Sequence, residues 1–174
     1  MLLTVIGALL LFKNEMVIIQ LTAKEIEQRL GKRLPYEKRL PLSARLVASN
    51  PRVSLTEGSQ AVRFGIDVAV ETSGFFTTSS ALKGVFDLSS GVSYQPKNFT
   101  FYLHKPRVVS VQFTGASGRT AKKVKKAINK ALERYFRHVA IYKLKDKNLK
   151  QKATRLLLRK VEVVEGKLHL TLGI

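Results

Sequence analysis

Residues 62–71 read V-R-F-G-I-D-V-A-V-E, and this alternation decides the predicted fold. Val62, Phe64 and Ile66 share one face of an extended chain, whereas polar and small residues occupy most of the other face. A period of two is typical of a β-strand with one buried face, because successive side chains point to opposite sides. The same period recurs across residues 34–114, interrupted by turn residues. The sequence therefore predicts an antiparallel meander with one face in the core and the other in water.

The period changes to 3.6 residues after Gly118. The apolar stripe of this second pattern consists of Ala121, Val124, Ala127, Ile128, Ala131, Leu132, Tyr135, Phe136 and Val139. Lysine and arginine fill most of the remaining positions. We therefore predict an amphipathic helix of about 20 residues and roughly 30 Å, with its apolar side against a concave sheet face.

Shorter elements are predicted on either side of these two patterns. Thr22 and Glu25 have the spacing of a capping box, which predicts a short amphipathic helix over residues 22–30. The other expected elements are a strand at 140–144, a short helix at 148–158 and a hairpin that pairs residues 161–164 with 168–172.

Together these patterns predict a single α+β domain over residues 16–174. Its expected architecture is a long curved antiparallel β-sheet wrapped around one long amphipathic helix, with short terminal helices and a C-terminal hairpin. Gly84 lies at a core-facing position of one strand, between Leu82 and Phe86. A glycine there leaves two interpretations open, namely room for a ligand or a close approach of two backbones.

Residues 1–12 form an apolar run, M-L-L-T-V-I-G-A-L-L-L-F. A helix of that length rises about 18 Å, which is short of the roughly 30 Å hydrocarbon core of a bilayer. The run has the length of the apolar part of a secretory signal. We interpret residues 1–15 as a signal or anchor segment that directs the protein to the cell envelope, either periplasmic or membrane-associated. The alternative is a buried N-terminal strand or helix.

The charge of the chain is strongly positive. Lys and Arg number 31 against 12 Asp and Glu, a net charge of +19. Residues 115–160 carry 16 of these basic residues and only two acids, Glu133 and Asp146. A solvated helix face usually alternates Lys with Glu at four residues, and here the acids are missing. We therefore favour an anionic ligand or surface over simple solvation.

The sequence contains few residues or motifs that could support catalysis or bind a cofactor. Cysteine is absent, and no nucleophile elbow, glycine-rich phosphate loop or zinc-protease motif is present. The three histidines fall on three different predicted elements. We expect no enzyme activity, no cofactor and no metal site. The opposing hypothesis is a hydrolase that sets His104 or His169 beside an acid, and the candidate acids are Asp67, Asp87 and Glu162.

Nucleic acid is a less favoured anion than a lipid. Proteins that bind single strands place aromatic side chains among basic ones so that bases can stack. In this chain Phe64, Phe86 and Phe101 fall at core-facing positions, and Tyr135 and Phe136 fall on the apolar helix stripe. The aromatic and basic residues are therefore segregated, which leaves only contacts to phosphate.

Three stretches carry a family resemblance: L-T-A-K-E-I-E-Q-R-L at 21–30, I-N-K-A-L-E-R-Y-F-R-H-V-A-I-Y-K-L-K-D at 128–146, and the closing residues 152–174. With them the chain resembles the YceB-like bacterial lipoproteins, a family of exported proteins. The resemblance implies a long helix cradled by a curved sheet. It also implies a likeness to the tubular lipid-binding (TULIP) superfamily, which holds acyl chains between helix and sheet. The lipidated cysteine of that family has no counterpart here, where Lys13-Asn14-Glu15-Met16 follow the apolar run.

The functional prediction is a non-enzymatic protein that binds a lipid or other amphiphile, with an anionic membrane surface as a further partner. The lipid-pocket candidates are Phe64, Ile66, Gly84, Phe86, Phe101, Val111, Ile128, Leu132 and Phe136. The candidates for the acidic head group are Lys122, Lys126, Lys130 and Arg134. One alternative is that the apolar residues pack together without a cavity. Another is a basic scaffold that binds an acidic protein or contacts nucleic-acid phosphates.

Overall fold

The computed structural model of the chain describes residues 10–13, 16–40, 44–72, 82–114, 118–153 and 155–174. The strands are β1 Leu10–Lys13, β2 Met16–Thr22, β3 Tyr36–Leu40, β4 Ala44–Ser54, β5 Val62–Thr72, β6 Leu82–Gln95, β7 Thr100–Thr114, β8 Ala140–Lys143, β9 Leu157–Val164 and β10 Lys167–Gly173. The helices are α1 Ala23–Gly31, α2 Gly118–Phe136 and α3 Lys147–Ala153, with a 3₁₀ turn at Pro96–Asn98.

The strands form two antiparallel sheets. The six-stranded sheet has the order β3-β4-β5-β6-β7-β8, so its strands follow one another as in a meander. The four-stranded sheet has the order β1-β2-β10-β9 and joins the two ends of the chain. Core side chains from both sheets and from α1 and α2 belong to one apolar cluster.

The predicted α+β architecture is wrong. Strands hold 59% of the described residues, and the molecule is mostly β, with a curled six-stranded sheet and helices that are short beside it. The six-stranded sheet is curled. Its core-facing side chains, such as Phe64 and Phe86, belong to the core cluster. Helix α2 packs mainly along β7 and does not lie at the centre of a wrapped sheet. The described side chains that α2 buries are Ile128, Ala131, Leu132 and Phe136.

Helix α1 begins where the sequence predicted. The Thr22 hydroxyl accepts from the Glu25 N–H at 3.2 Å, and the Glu25 carboxylate accepts from the Thr22 N–H at 2.8 Å. This reciprocal pair satisfies two N–H groups that have no partner within the helix. Ile26 and Leu30 are then buried on the side of α1 that faces the core. The capping box therefore both starts α1 and fixes which face is inward.

The C-terminal hairpin is also present, with Lys167 opposite Val164. Its two turn residues, Glu165 and Gly166, have φ angles of 52° and 69°. Positive φ at both positions is the requirement of a type I′ turn, whose twist matches that of the strands. The Glu57 carboxylate accepts from both turn N–H groups, at 3.2 and 3.3 Å.

Two predicted boundaries need correction. The short helix expected at 148–158 ends at Ala153, because residues from Leu157 onward extend β9 and pair with β10. The expected strand at 140–144 is β8 Ala140–Lys143, the edge strand beside β7.

The N-terminal apolar run is only partly described. Its last residues form β1, in which Phe12 lies opposite Val17 of β2. Residues 1–9, 14 and 15 lie outside the described residues, and the export signal stays a prediction. In the described part of the chain, no helix is both long and apolar enough to cross a membrane.

Gly84 serves a close approach of two strands and does not leave room for a ligand. A Cβ atom on this glycine would lie 2.5 Å from Cδ2 of Phe113 and 2.6 Å from the Gln112 carbonyl oxygen. Both atoms belong to β7, which pairs with β6 at this point. The space that a side chain at Gly84 would need is therefore filled by β7, which favours the interpretation as a close approach of two backbones.

We expect the substitution Gly84→Ala to lower the free energy of unfolding by about 1–3 kcal/mol, the usual cost of forcing an atom into a packed site. Gly91→Ala in the same strand is the matched control, because its Cβ would meet nothing closer than 3.5 Å. Urea unfolding followed by circular dichroism measures both. Equal stability of the two variants would contradict the role given to Gly84.

Candidate functional site

The structure brings most of the predicted lipid-pocket residues together. Those with at most 1% of their surface exposed are Phe64, Ile66, Phe86, Phe101, Ile128, Leu132 and Phe136. Val111 is partly buried against the same cluster. The aromatic rings contact one another directly, since the Phe64 and Phe136 centroids lie 4.9 Å apart, edge to face. These side chains belong to one apolar core cluster.

The predicted head-group residues lie on the exposed side of α2. Lys130 and Arg134 line a cleft of about 230 Å³ between α2 and the edge strand β3, whereas Lys122 and Lys126 do not. We call this feature the basic cleft, and its lining consists of Lys38, Arg39, Leu40, Ala127, Lys130, Ala131 and Arg134. The lining thus combines four basic residues with one leucine and two alanines. We call these three apolar residues the floor of the cleft.

Contacts near the end of α2 hold the basic cleft in place. The Tyr135 ring stacks on Tyr36 of β3, with centroids 3.9 Å apart and an angle of 18° between the planes. The Tyr135 hydroxyl donates to the Arg33 carbonyl. On the other side of the helix, the Glu133 carboxylate accepts from the Val108 N–H of β7 at 3.2 Å. Helix α2 is thereby fixed to β3 and β7 at the same time.

Burial raises the pKa of the Tyr36 hydroxyl, and the nearby Arg134 guanidinium lowers it in part. Burial also raises the pKa of Tyr135, again with a smaller opposing effect from an arginine, Arg33. Both hydroxyls therefore stay protonated at neutral pH. The stacked tyrosine pair consequently adds no negative charge beside the cleft.

Carboxylates of β3 and β5 pair with arginines that do not line the basic cleft. Glu37 and Glu71 both pair with Arg45, at 3.6 and 3.2 Å, and Asp67 pairs with Arg52 at 2.6 Å. The hydrogen bond from Arg52 is the main cause that holds the pKa of Asp67 below its usual range. Among the described residues, no acid forms an ion pair with any of the four cations of the basic cleft. The cleft is thus a concentration of uncompensated positive charge.

Sequence reasoning missed Lys38 and Arg39. Lys38 is partly buried at the same parity as Tyr36 and Leu40, which pack against the core. A lysine at a core-facing position of an alternating strand was the available signal. Such an inward charge also discourages an edge strand from pairing with another sheet.

The structure places His169 beside one of the acids that the hydrolase hypothesis names, and His104 in a different part of the molecule. His169 lies opposite Glu162 in the β9–β10 pair, and the Glu162 carboxylate contacts Lys160 at 2.5 Å. His104 and His138 share a separate cleft whose lining contains no acid. Within the described ranges, no group of three or more His, Asp or Glu residues is placed to hold a metal ion.

Comparison with solved structures gives distant similarities. The crystal structure of P47 of Clostridium botulinum E1 is 11% identical with a TM-score of 0.43, over 95% of this chain and 41% of that one. The crystal structure of lipopolysaccharide binding protein is 10% identical with a TM-score of 0.31, over 94% of this chain and 50% of that one. The chain thus spans half or less of each. No curated protein matches it.

A family model gives the decisive match. The model described as "Protein of unknown function (DUF1439)" matches residues 21–167, which include the whole six-stranded sheet and the whole of α2. This family is the YceB-like family that the sequence resembles, so that part of the resemblance is confirmed. The chain therefore belongs to the DUF1439 family.

Proposed function

We propose that this protein is a non-enzymatic envelope protein that binds an amphiphile with an acidic head group, and that the head group occupies the basic cleft. The observation that carries the proposal is a single cleft lining that combines four basic residues from β3 and α2 with an apolar floor. Lys122 and Lys126, further along α2, then face the anionic surface from which the amphiphile comes.

Electrostatics favours an anion at this position. Like charges held close together repel one another, and the cost is offset when an anion enters between them. An arginine fork adds directed hydrogen bonds to a phosphate or carboxylate, and lysine adds a point charge. Arg39 and Arg134 supply the first kind of group, and Lys38 and Lys130 supply the second. The net charge of +19 also steers the whole protein toward anionic surfaces.

The floor of the cleft supports an amphiphile over a simple anion. Ala131 has only 4% of its surface exposed and belongs to the core cluster, and Leu40 packs against that cluster. The apolar floor is therefore continuous with the core that contains Leu132 and Phe136. Each methylene that leaves water on this floor contributes up to about 0.8 kcal/mol. Rings packed behind the floor must separate for a chain to enter further between helix and sheet.

The proposed location in the envelope rests on the apolar run at residues 1–12, which has the length of a secretory h-region. The basic face of α2 suits the anionic surface of a membrane, where each Lys or Arg contributes about 1 kcal/mol.

A basic scaffold is the second candidate function. The observation that favours it is a group of exposed lysines on α2 that do not line the basic cleft: Lys122, Lys123, Lys125 and Lys126. Contacts from these lysines to an acidic protein or to nucleic-acid phosphates would need no apolar floor. The two functions therefore differ in whether an acyl chain adds affinity.

We expect the double variant Lys130→Gln/Arg134→Gln to bind anionic vesicles about thirtyfold more weakly, since two cations contribute roughly 2 kcal/mol near such a surface. Co-sedimentation with vesicles of phosphatidylglycerol and phosphatidylcholine measures the change. The control is Arg155→Gln/Arg159→Gln, which removes the same charge from exposed positions at β9. Equal losses in the two double variants would show that net charge, and not the cleft, determines binding.

We expect affinity for alkyl phosphates to rise with chain length from octyl to dodecyl, by up to about fourfold per methylene while the chain lies on apolar surface. Isothermal titration below the micellar concentration measures the series. Ala127→Leu, which fills the floor, should flatten the dependence and spare inorganic phosphate. Ala69→Leu on β5 is the control because it lies outside the basic cleft. A flat series for the unaltered protein would favour the basic scaffold.

A further inference from the structure

A second cleft lies just beyond the C-terminal end of α2, beside β6 and β7. Its volume is about 340 Å³, and its lining consists of Ser93, Gln95, Tyr102, His104, Arg137 and His138. We call it the histidine cleft. It shares no residue with the basic cleft. Two histidines from different elements thus line the same polar cleft.

Asn98 sets the polarity of one wall. Its Nδ2 donates to the Tyr102 hydroxyl oxygen at 2.7 Å and to Oε1 of Gln95 at 3.2 Å. Both bonds use acceptor atoms, so the Tyr102 O–H and the Gln95 amide N–H groups remain as donors. Asn98 itself is held in the 3₁₀ turn, where its carbonyl accepts from the Thr100 hydroxyl at 3.0 Å.

The charged and titratable groups of the cleft are all basic or neutral. Strand β6 contributes Ser93 and Gln95, β7 contributes Tyr102 and His104, and the turn after α2 contributes Arg137 and His138. No carboxylate is part of this lining. Arginine is always charged, and histidine side chains generally gain their charge between pH 8 and 5. The site is therefore rich in hydrogen-bond donors.

We propose that the histidine cleft binds a phosphate group and binds it more tightly when His104 and His138 are protonated. The Arg137 guanidinium presents the forked donors that match phosphate oxygens, and Tyr102, Gln95 and Ser93 add hydrogen bonds from the facing strands.

The test is a pH titration of the histidine Cε1–H resonances by NMR, with and without inorganic phosphate. Because binding and protonation are linked, phosphate that binds protonated histidines better must raise their pKa by the same coupling. We expect this rise for His104 and His138 and none for His169, which lies on β10 in the other sheet.

Two comparisons test the proposal, one between variants of the protein and one between inorganic phosphate and a lipid phosphate. Arg137→Gln should abolish the response to phosphate, whereas Arg159→Gln, an exposed arginine of β9, should preserve it. A response to vesicles of phosphatidic acid but not to inorganic phosphate would assign the site to a lipid head group. Equal shifts of all three histidines, or no shift with either ligand, would overturn the proposal. Lys130→Gln/Arg134→Gln should leave the response intact, so this site and the basic cleft can fail separately.

Discussion

The docking of the second half of α2 onto the curled sheet is the interaction on which both candidate sites depend. Leu132 and Phe136 are fully buried, and the Phe136 ring meets Phe64 of β5 edge to face. The stack of Tyr135 on Tyr36 and the hydrogen bond from Glu133 to β7 then fix the rotation of the helix. With this rotation, Lys130 and Arg134 face β3, and the residues that follow the helix face β6 and β7.

The distribution of acids explains why so much positive charge is left without a partner. Four glutamates accept hydrogen bonds from backbone N–H groups at a helix start, a strand, a hairpin turn and a strand irregularity: Glu25, Glu27, Glu57 and Glu133. Other acids pair with Arg45, Arg52 and Lys160 on exposed surfaces. Such exposed pairs add little stability. These eight carboxylates thus stabilise the fold through contacts that do not involve the four basic residues of the basic cleft.

Local rules predicted local structure well. The Thr22–Glu25 capping box, the alternation of β5 and the Glu165-Gly166 turn each depend on residues a few positions apart, and all three are present. The division into two sheets was not predictable from period alone, because β2 pairs with β10 across almost the whole chain. The clefts were not predictable for the same reason. Lys38 and Lys130 line one cleft, and His104 and His138 line the other, only in the folded sheet.

Photo-crosslinking tests whether an acidic lipid binds in the basic cleft. An acidic phospholipid that carries a photoreactive group beside its head group would be bound to the full chain, irradiated, and mapped by mass spectrometry of the cleaved peptides. We expect crosslinks to peptides that contain β3 and residues 127–134 of α2. An excess of unlabelled acidic lipid should compete for the site and remove these crosslinks. Crosslinks confined to β9 and β10, or to the outer face around Arg52 and Arg63, would contradict it.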